Sequence, residues 1–61
     1  MDTDAWAEVA MKMEEAAAAA RQAMALMIGS GAPEHISQNF QPTLDTLERY
    51  ATLTREKADG E

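Results

Sequence analysis

The chain lacks cysteine, and this absence removes the usual ways of stabilising a small protein. Its 61 residues allow one domain, and so short a domain buries a smaller share of its surface than a larger one does. Without cysteine there are no disulfides and no thiolate metal sites. The single histidine does not supply a histidine-based structural zinc site. Self-association remains as a way to complete the core.

Large apolar residues are also scarce. Three residues are aromatic, and 13 of the 28 hydrophobic residues are alanine. A chain of this length, with so few large side chains to bury, has a free energy of folding close to zero when it folds alone. The composition therefore predicts an obligate homo-oligomer, with the dimer as its first form.

Basic residues are few, since 5 lysines and arginines stand against 11 acidic residues and the net charge is −6. Binding to a nucleic-acid backbone or to an anionic membrane requires clustered basic residues, so both partners are disfavoured. The start of the chain has neither the basic residues nor the apolar stretch of a secretory signal. The longest strongly apolar run, 23–28, is far too short to cross a bilayer. These features predict a cytoplasmic protein.

Residues 4–28 are dominated by strong helix formers and predict one long helix. Oxygen-bearing side chains at its start can cap the free N–H groups. Glycines at positions 29 and 31 favour a helix end, so we expect a turn at 29–32.

A second helical segment is predicted for 33–58, because apolar residues recur at helical spacing. Pro42 interrupts this pattern, since proline removes a backbone hydrogen bond and clashes with the preceding turn. We therefore expect a break or kink near 38–42. The last residues, 59–61, are expected to fray.

The first helix carries an apolar ladder whose steps alternate between three and four residues, as in a helix-packing seam. Its members are Trp6, Val9, Met13, Ala16, Ala20, Ala23 and Met27. The central alanines leave room that a neighbouring helix must fill, and the second segment offers four large residues for this purpose. These are Phe40, Leu44, Leu47 and Tyr50. The sequence predicts an all-α fold, an antiparallel helical hairpin that pairs into a four-helix bundle or a higher oligomer. All eleven residues are candidates for the oligomer interface.

Two large apolar residues, Met11 and Leu26, project from the polar side of the first helix among carboxylates that include Glu8 and Glu15. These four residues form a candidate docking strip for another protein. Two alternatives stay open for this strip. Scattered apolar residues are normal on protein surfaces, and a larger assembly would cover this side as well.

Catalytic and cofactor signatures are missing from the sequence. A di-iron helical bundle uses Glu-x-x-His on two of its helices, and no such motif occurs. His35 lies near the turn without a partner that would activate it, so it is interpreted as a surface histidine. The glycines around Ser30 follow a helix rather than a strand and lack the lysine of a phosphate-binding loop. We predict no enzyme activity, no metal and no cofactor.

The leading functional interpretation is a non-enzymatic, acidic protein-interaction module. It would self-associate and bind, inhibit, chaperone or scaffold a larger protein. Its small size and acidic composition would suit an accessory protein of a phage or mobile element. One alternative is a binder of small anions at an oligomer interface, since helix N-termini attract anions. A weaker alternative is a nucleic-acid regulator or mimic.

Overall fold

The computed structural model describes residues 2–60, which form two α-helices packed against each other. Helix α1 spans Thr3–Gly29 and helix α2 spans Glu34–Ala58. The predicted all-α helical hairpin is therefore confirmed. Both helices begin and end within one residue of the positions expected from the sequence.

The ends of α1 follow from local chemistry. Asp2 caps its start, and one side-chain oxygen of Asp2 accepts a hydrogen bond from the Ala5 N–H at 2.8 Å. After the helix, Gly31 adopts a left-handed backbone with φ of 77°. The Ala32 N–H then donates to the Met27 carbonyl at 3.0 Å, as in a common helix C-terminal motif. This geometry turns the chain back so that α2 runs antiparallel to α1.

The expectation for 38–42 was a break or a kink, and the break does not occur, because α2 is continuous from Glu34 to Ala58 with Pro42 inside it. The kink stays a prediction. Proline costs the helix one hydrogen bond to the carbonyl of Gln38. Both residues are exposed, so water can satisfy this carbonyl and the chain has no reason to leave the helix. The fraying predicted for 59–61 falls in part on Glu61, which lies outside the described residues.

The seam between the helices is narrow, and its deepest residues are small. Its buried members, with their exposed fractions, are Ala10 (0%), Ala17 (2%), Ala20 (8%), Met24 (9%), Leu44 (6%) and Thr54 (5%). Met27, Phe40 and Leu47 pack against this core and are only partly buried. The small side chains bring the helices together while leaving much of the larger side chains uncovered.

Three members of the predicted α1 ladder are less buried against α2 than the residues that follow them. Ala16 and Ala23 are exposed, whereas the residues that follow them, Ala17 and Met24, are buried. Val9 is only half-buried, whereas the next residue, Ala10, is fully buried. The ladder that faces α2 contains Ala10, Met13, Ala17, Ala20, Met24 and Met27. This ladder also has steps of three and four, and the alanine run 16–20 satisfies both patterns equally. Spacing alone cannot choose between them.

Thr54 is the one buried polar side chain among residues 2–60. Its hydroxyl donates to the carbonyls of Tyr50 at 2.8 Å and Ala51 at 3.1 Å. The hydroxyl is thus satisfied within its own helix, and it adds no polar contact that would order the two helices relative to each other.

The hairpin is long and thin, with Cα dimensions of 43 × 15 × 12 Å and a radius of gyration of 13.9 Å. A compact domain of this length has a radius of gyration of about 10.5 Å. The accessible surface is 4305 Å², against about 3,900 Å² for a typical monomer of the same mass. The isolated chain therefore exposes more surface than a folded monomer of its size usually does.

The two glycines of the turn give a matched test of this geometry. Gly31→Ala should destabilise the fold by about 1–2 kcal/mol, because a side chain is strained at its positive φ. Gly29→Ala should be neutral or stabilising by up to about 1 kcal/mol, because Gly29 is helical and a Cβ there meets no atom within 4 Å. Urea unfolding at one protein concentration measures both variants. Equal effects would contradict the turn geometry.

Candidate interaction surface

One side of the hairpin is bridged by ion pairs between the helices, around a hollow of about 400 Å³. Arg55 donates to both carboxylate oxygens of Glu14, from Nε at 2.9 Å and from Nη2 at 2.7 Å. Two turns nearer the chain reversal, Arg21 Nη1 contacts Glu48 Oε1 at 3.4 Å. We call these four residues the ionic face. It identifies the side of each helix that lies on this side of the hairpin, and it shows which turns of the two helices lie near each other.

The pair of Glu14 and Arg55 has the geometry of a strong charge-assisted contact. Its hydrogen bond lowers the pKa of Glu14 below the ordinary value and raises the pKa of Arg55. Both side chains remain exposed to solvent, so the pair contributes modestly to stability.

The opposite side of α1 is apolar and uncovered. On a helical wheel Glu14 lies about 60° to one side of the buried Ala17, and Ala16 lies about 100° to the other side. Ala23 has the same relation to Met24. Since Glu14 belongs to the ionic face, the exposed Ala16 and Ala23 lie on the other side of the hairpin.

Helix α2 repeats this arrangement around Ala51. Glu48 of the ionic face precedes Ala51 by three residues, and Tyr50 precedes it by one, so the two side chains lie on opposite sides. Tyr50 is 50% exposed, and Leu47 lies between Tyr50 and the seam. We call this side the open face and define it by Val9, Ala16, Ala23, Leu47 and Tyr50.

The open face has two shallow hollows. The first, about 510 Å³, lies on α1 and the second, about 340 Å³, lies on α2. The first is lined by Glu8, Val9, Lys12, Met13 and Ala16. The second is lined by Pro42, Thr43, Thr46, Leu47 and Tyr50. Both linings are mainly apolar, which suits contact with another apolar surface rather than with a charged ligand.

The residues predicted for the oligomer interface divide into three groups. Ala20 and Leu44 are buried in the hairpin itself. Six are half-buried at the margin of the seam: Trp6, Val9, Met13, Met27, Phe40 and Leu47. Ala16, Ala23 and Tyr50 are exposed. Nine of the eleven therefore retain accessible surface.

The candidate docking strip does not form one compact patch. Met11 is 46% exposed and Leu26 is 69% exposed, and the acidic residues Glu8 and Glu15 are exposed as well. Fifteen residues separate Met11 from Leu26, which is about 22 Å along a helix. Glu15 contacts Lys12 at 3.6 Å on the same helix. The strip therefore consists of two separate exposed apolar side chains with smaller residues between them.

Exposed apolar residues also gather where the chain turns, and sequence reasoning did not single out this cluster. Ile28 is 65% exposed and Ile36 is 44% exposed, close in sequence to the exposed Leu26. Between Gln22 and Leu44 the only charged residue at neutral pH is Glu34. This near absence of charged residues is the feature of the sequence that could have indicated the apolar cluster at the turn.

The described residues offer little for metal or acid–base chemistry. Within residues 2–60 no group of three or more histidine, aspartate and glutamate side chains is placed to hold a metal ion. His35 is exposed in the first turn of α2. Neither helix of this part of the chain is both long enough and apolar enough to span a membrane.

Comparison of the chain with protein-family models, with curated proteins and with solved structures found no match. The surface of the hairpin therefore provides the basis for inferring a function.

The ionic face predicts an acid sensitivity. Because the pKa of Glu14 is lowered in the folded state, the stability it contributes is present at neutral pH and is lost as pH falls below the ordinary glutamate value of about 4.3. Glu14→Gln should flatten the dependence of the urea midpoint on pH in this range. Glu15→Gln is the control, since Glu15 contacts only its own helix. Unchanged pH dependence in Glu14→Gln would contradict the role of this pair.

Proposed function

We propose that this protein is a non-enzymatic interaction module that works as a homodimer, in which two hairpins bury their open faces against each other as a four-helix bundle. The observation that carries this proposal is the contrast between the two sides of the hairpin. Charged side chains line the ionic face, including its hollow of about 400 Å³, while the open face keeps Tyr50 50% exposed and leaves Val9 and Leu47 only half-buried. Apolar surface of this kind is stabilised when a second apolar surface covers it.

The size of the open face supports a second copy of the chain as its occupant. The hairpin measures 43 by 15 Å across its broad side, a footprint of about 650 Å² before side-chain relief is counted. A standard protein interface buries about 800 Å² on each partner. One hairpin therefore offers nearly the area that a stable dimer needs, and an isologous contact uses the same surface on both copies.

The proposal extends to a larger protein as the target of the dimer. Met11 and Leu26 lie outside the open face and remain available after dimerisation, and acidic residues flank Met11. A complementary partner would present apolar side chains with basic residues beside them. The module would bind such a partner and inhibit, chaperone or scaffold it.

The alternatives have less support from this surface. Three of the five basic residues contact glutamates, namely Lys12, Arg21 and Arg55, which weakens the case for a nucleic-acid partner. The start of α2 has no side-chain cap, but an uncapped helix end by itself does not define an anion site. Self-association remains the function that the surface supports best.

Two exposed alanines of α1 test the dimer directly. Ala23→Glu places a carboxylate on the open face, where it would be buried against the partner, and we expect it to convert the dimer to monomer at micromolar concentration. Ala25→Glu adds the same charge two residues away on the other side of the helix and should leave the dimer intact. Light scattering coupled to size exclusion gives the mass of each variant. A wild-type chain that is folded and monomeric at these concentrations would overturn the proposal.

The partner surface is tested by the double substitution Met11→Glu and Leu26→Glu. It should leave the mass of the dimer unchanged and abolish binding to any protein that co-purifies with the wild-type chain, because two buried apolar contacts become carboxylates. The control is Glu8→Gln, which keeps both apolar residues. Retention of every partner by the double variant would remove Met11 and Leu26 from the function.

A further inference from the structure

We infer that the two hairpins pair with their turns at the same end, so that α1 of each copy lies against α2 of the other. This inference rests on the proposed dimer and goes further, because it assigns the orientation of the copies and the residues that interlock. The alternative places the turns at opposite ends, with α1 against α1 and α2 against α2. Both arrangements are up-and-down bundles, so helix direction does not distinguish them.

The ion pairs establish which residues of the two helices lie level with each other. Glu14 is opposite Arg55 and Arg21 is opposite Glu48. Moving one residue forward in α1 therefore corresponds to moving one residue backward in α2, and both moves approach the turn. Leu47 and Tyr50 therefore lie level with residues 19–22 of α1. The large open-face residues of α2 are beside the alanine-rich middle of α1.

Side-chain size then favours one orientation in the middle of the dimer. When α1 faces α2 of the partner, Leu47 and Tyr50 of one copy enter the space between Ala16 and Ala23 of the other copy. The two-fold symmetry of the dimer repeats this contact. When like helices face each other, alanine meets alanine on one side, and Leu47 and Tyr50 meet their own copies on the other. The two α1 helices would then lie close together and the two α2 helices far apart. Such uneven spacing conflicts with the even packing density of protein interiors.

The end of the hairpin that carries the chain termini shows the same complementarity. The hollow on α1 beside Val9 and Met13 lies level with residues 56–60 of α2, whose open-face member is Lys57. The methylene stem of Lys57 can cover this apolar hollow while its ammonium remains in water. Glu8 and Lys12 both line this hollow, so its charges balance and the contact rests on the methylene stem of Lys57. In the opposite orientation this hollow faces the turn of the partner, where Met27 adds further bulk.

Charge opposes this arrangement but does not decide it. Fifteen of the 16 charged residues lie outside residues 22–44, so turns at the same end bring two acidic ends together. These charges are exposed, and salt screens exposed charges beyond about 8 Å at physiological ionic strength. The inferred dimer should therefore associate several-fold more tightly when salt is raised, whereas the opposite orientation should respond weakly.

The absence of cysteine makes the orientation directly measurable. Ser30→Cys places one thiol on the exposed turn, and Asp59→Cys places one near the chain termini. A short bismaleimide should crosslink Ser30→Cys chains to each other in high yield, because both turns lie at one end. A mixture of the two variants should give only same-site products, since the hairpin is 43 Å long.

Each outcome separates the inference from the proposed function. Mixed Ser30–Asp59 products without same-site products would overturn the shared-end orientation and retain the dimer. A dimer by light scattering that gives no Ser30→Cys product would also overturn the orientation. A monomer would remove both proposals. Tyr50→Ala should weaken the dimer at least tenfold, whereas Leu53→Ala, also an exposed residue of α2, should not.

Discussion

The close packing of alanine against the second helix is the constraint on which the rest of this structure depends. Ala10 and Ala17 are nearly or fully buried, and side chains this small let two helices approach closely. A close approach leaves no room for larger side chains at the centre of the seam. Phe40, Leu47 and Met27 therefore pack at its margin, with part of their surface uncovered. A hairpin of this kind is well aligned but incomplete as a hydrophobic core.

The ion pairs mark which side of the hairpin is left incomplete. The ionic face joins the helices through Glu14 with Arg55 and Arg21 with Glu48. These pairs are exposed and add little free energy, so they accompany the rotation that burial of the seam gives each helix. That rotation turns the alanines at 16 and 23 and the ring of Tyr50 toward the other side. The same rotation that buries the seam therefore produces the apolar surface.

The two ends of the molecule differ as strongly as its two faces. Charge is concentrated near the chain termini, and the turn is nearly free of it, with Leu26 and Ile28 both more than 60% exposed. Like charges at the acidic end disfavour non-specific association there. The turn and the open face carry the exposed apolar side chains instead. This division is what the proposed dimer and the proposed partner surface of this 61-residue chain rest on.

Local sequence determined the helices, their ends and the chain reversal, because propensity, the Asp2 cap and the glycine turn act between near neighbours. It also determined that large apolar side chains are too few for an ordinary core. It did not determine the phase of α1, because the alanine run 16–20 fits two ladders equally well. Only packing between the two helices, accompanied by contacts such as Glu14 with Arg55, selected Ala17 and Met24 for the seam. Continuity through Pro42 was likewise decided by the tertiary fold, because Phe40 and Leu44 pack in the core on either side of the proline and the carbonyl that it frees at Gln38 faces water.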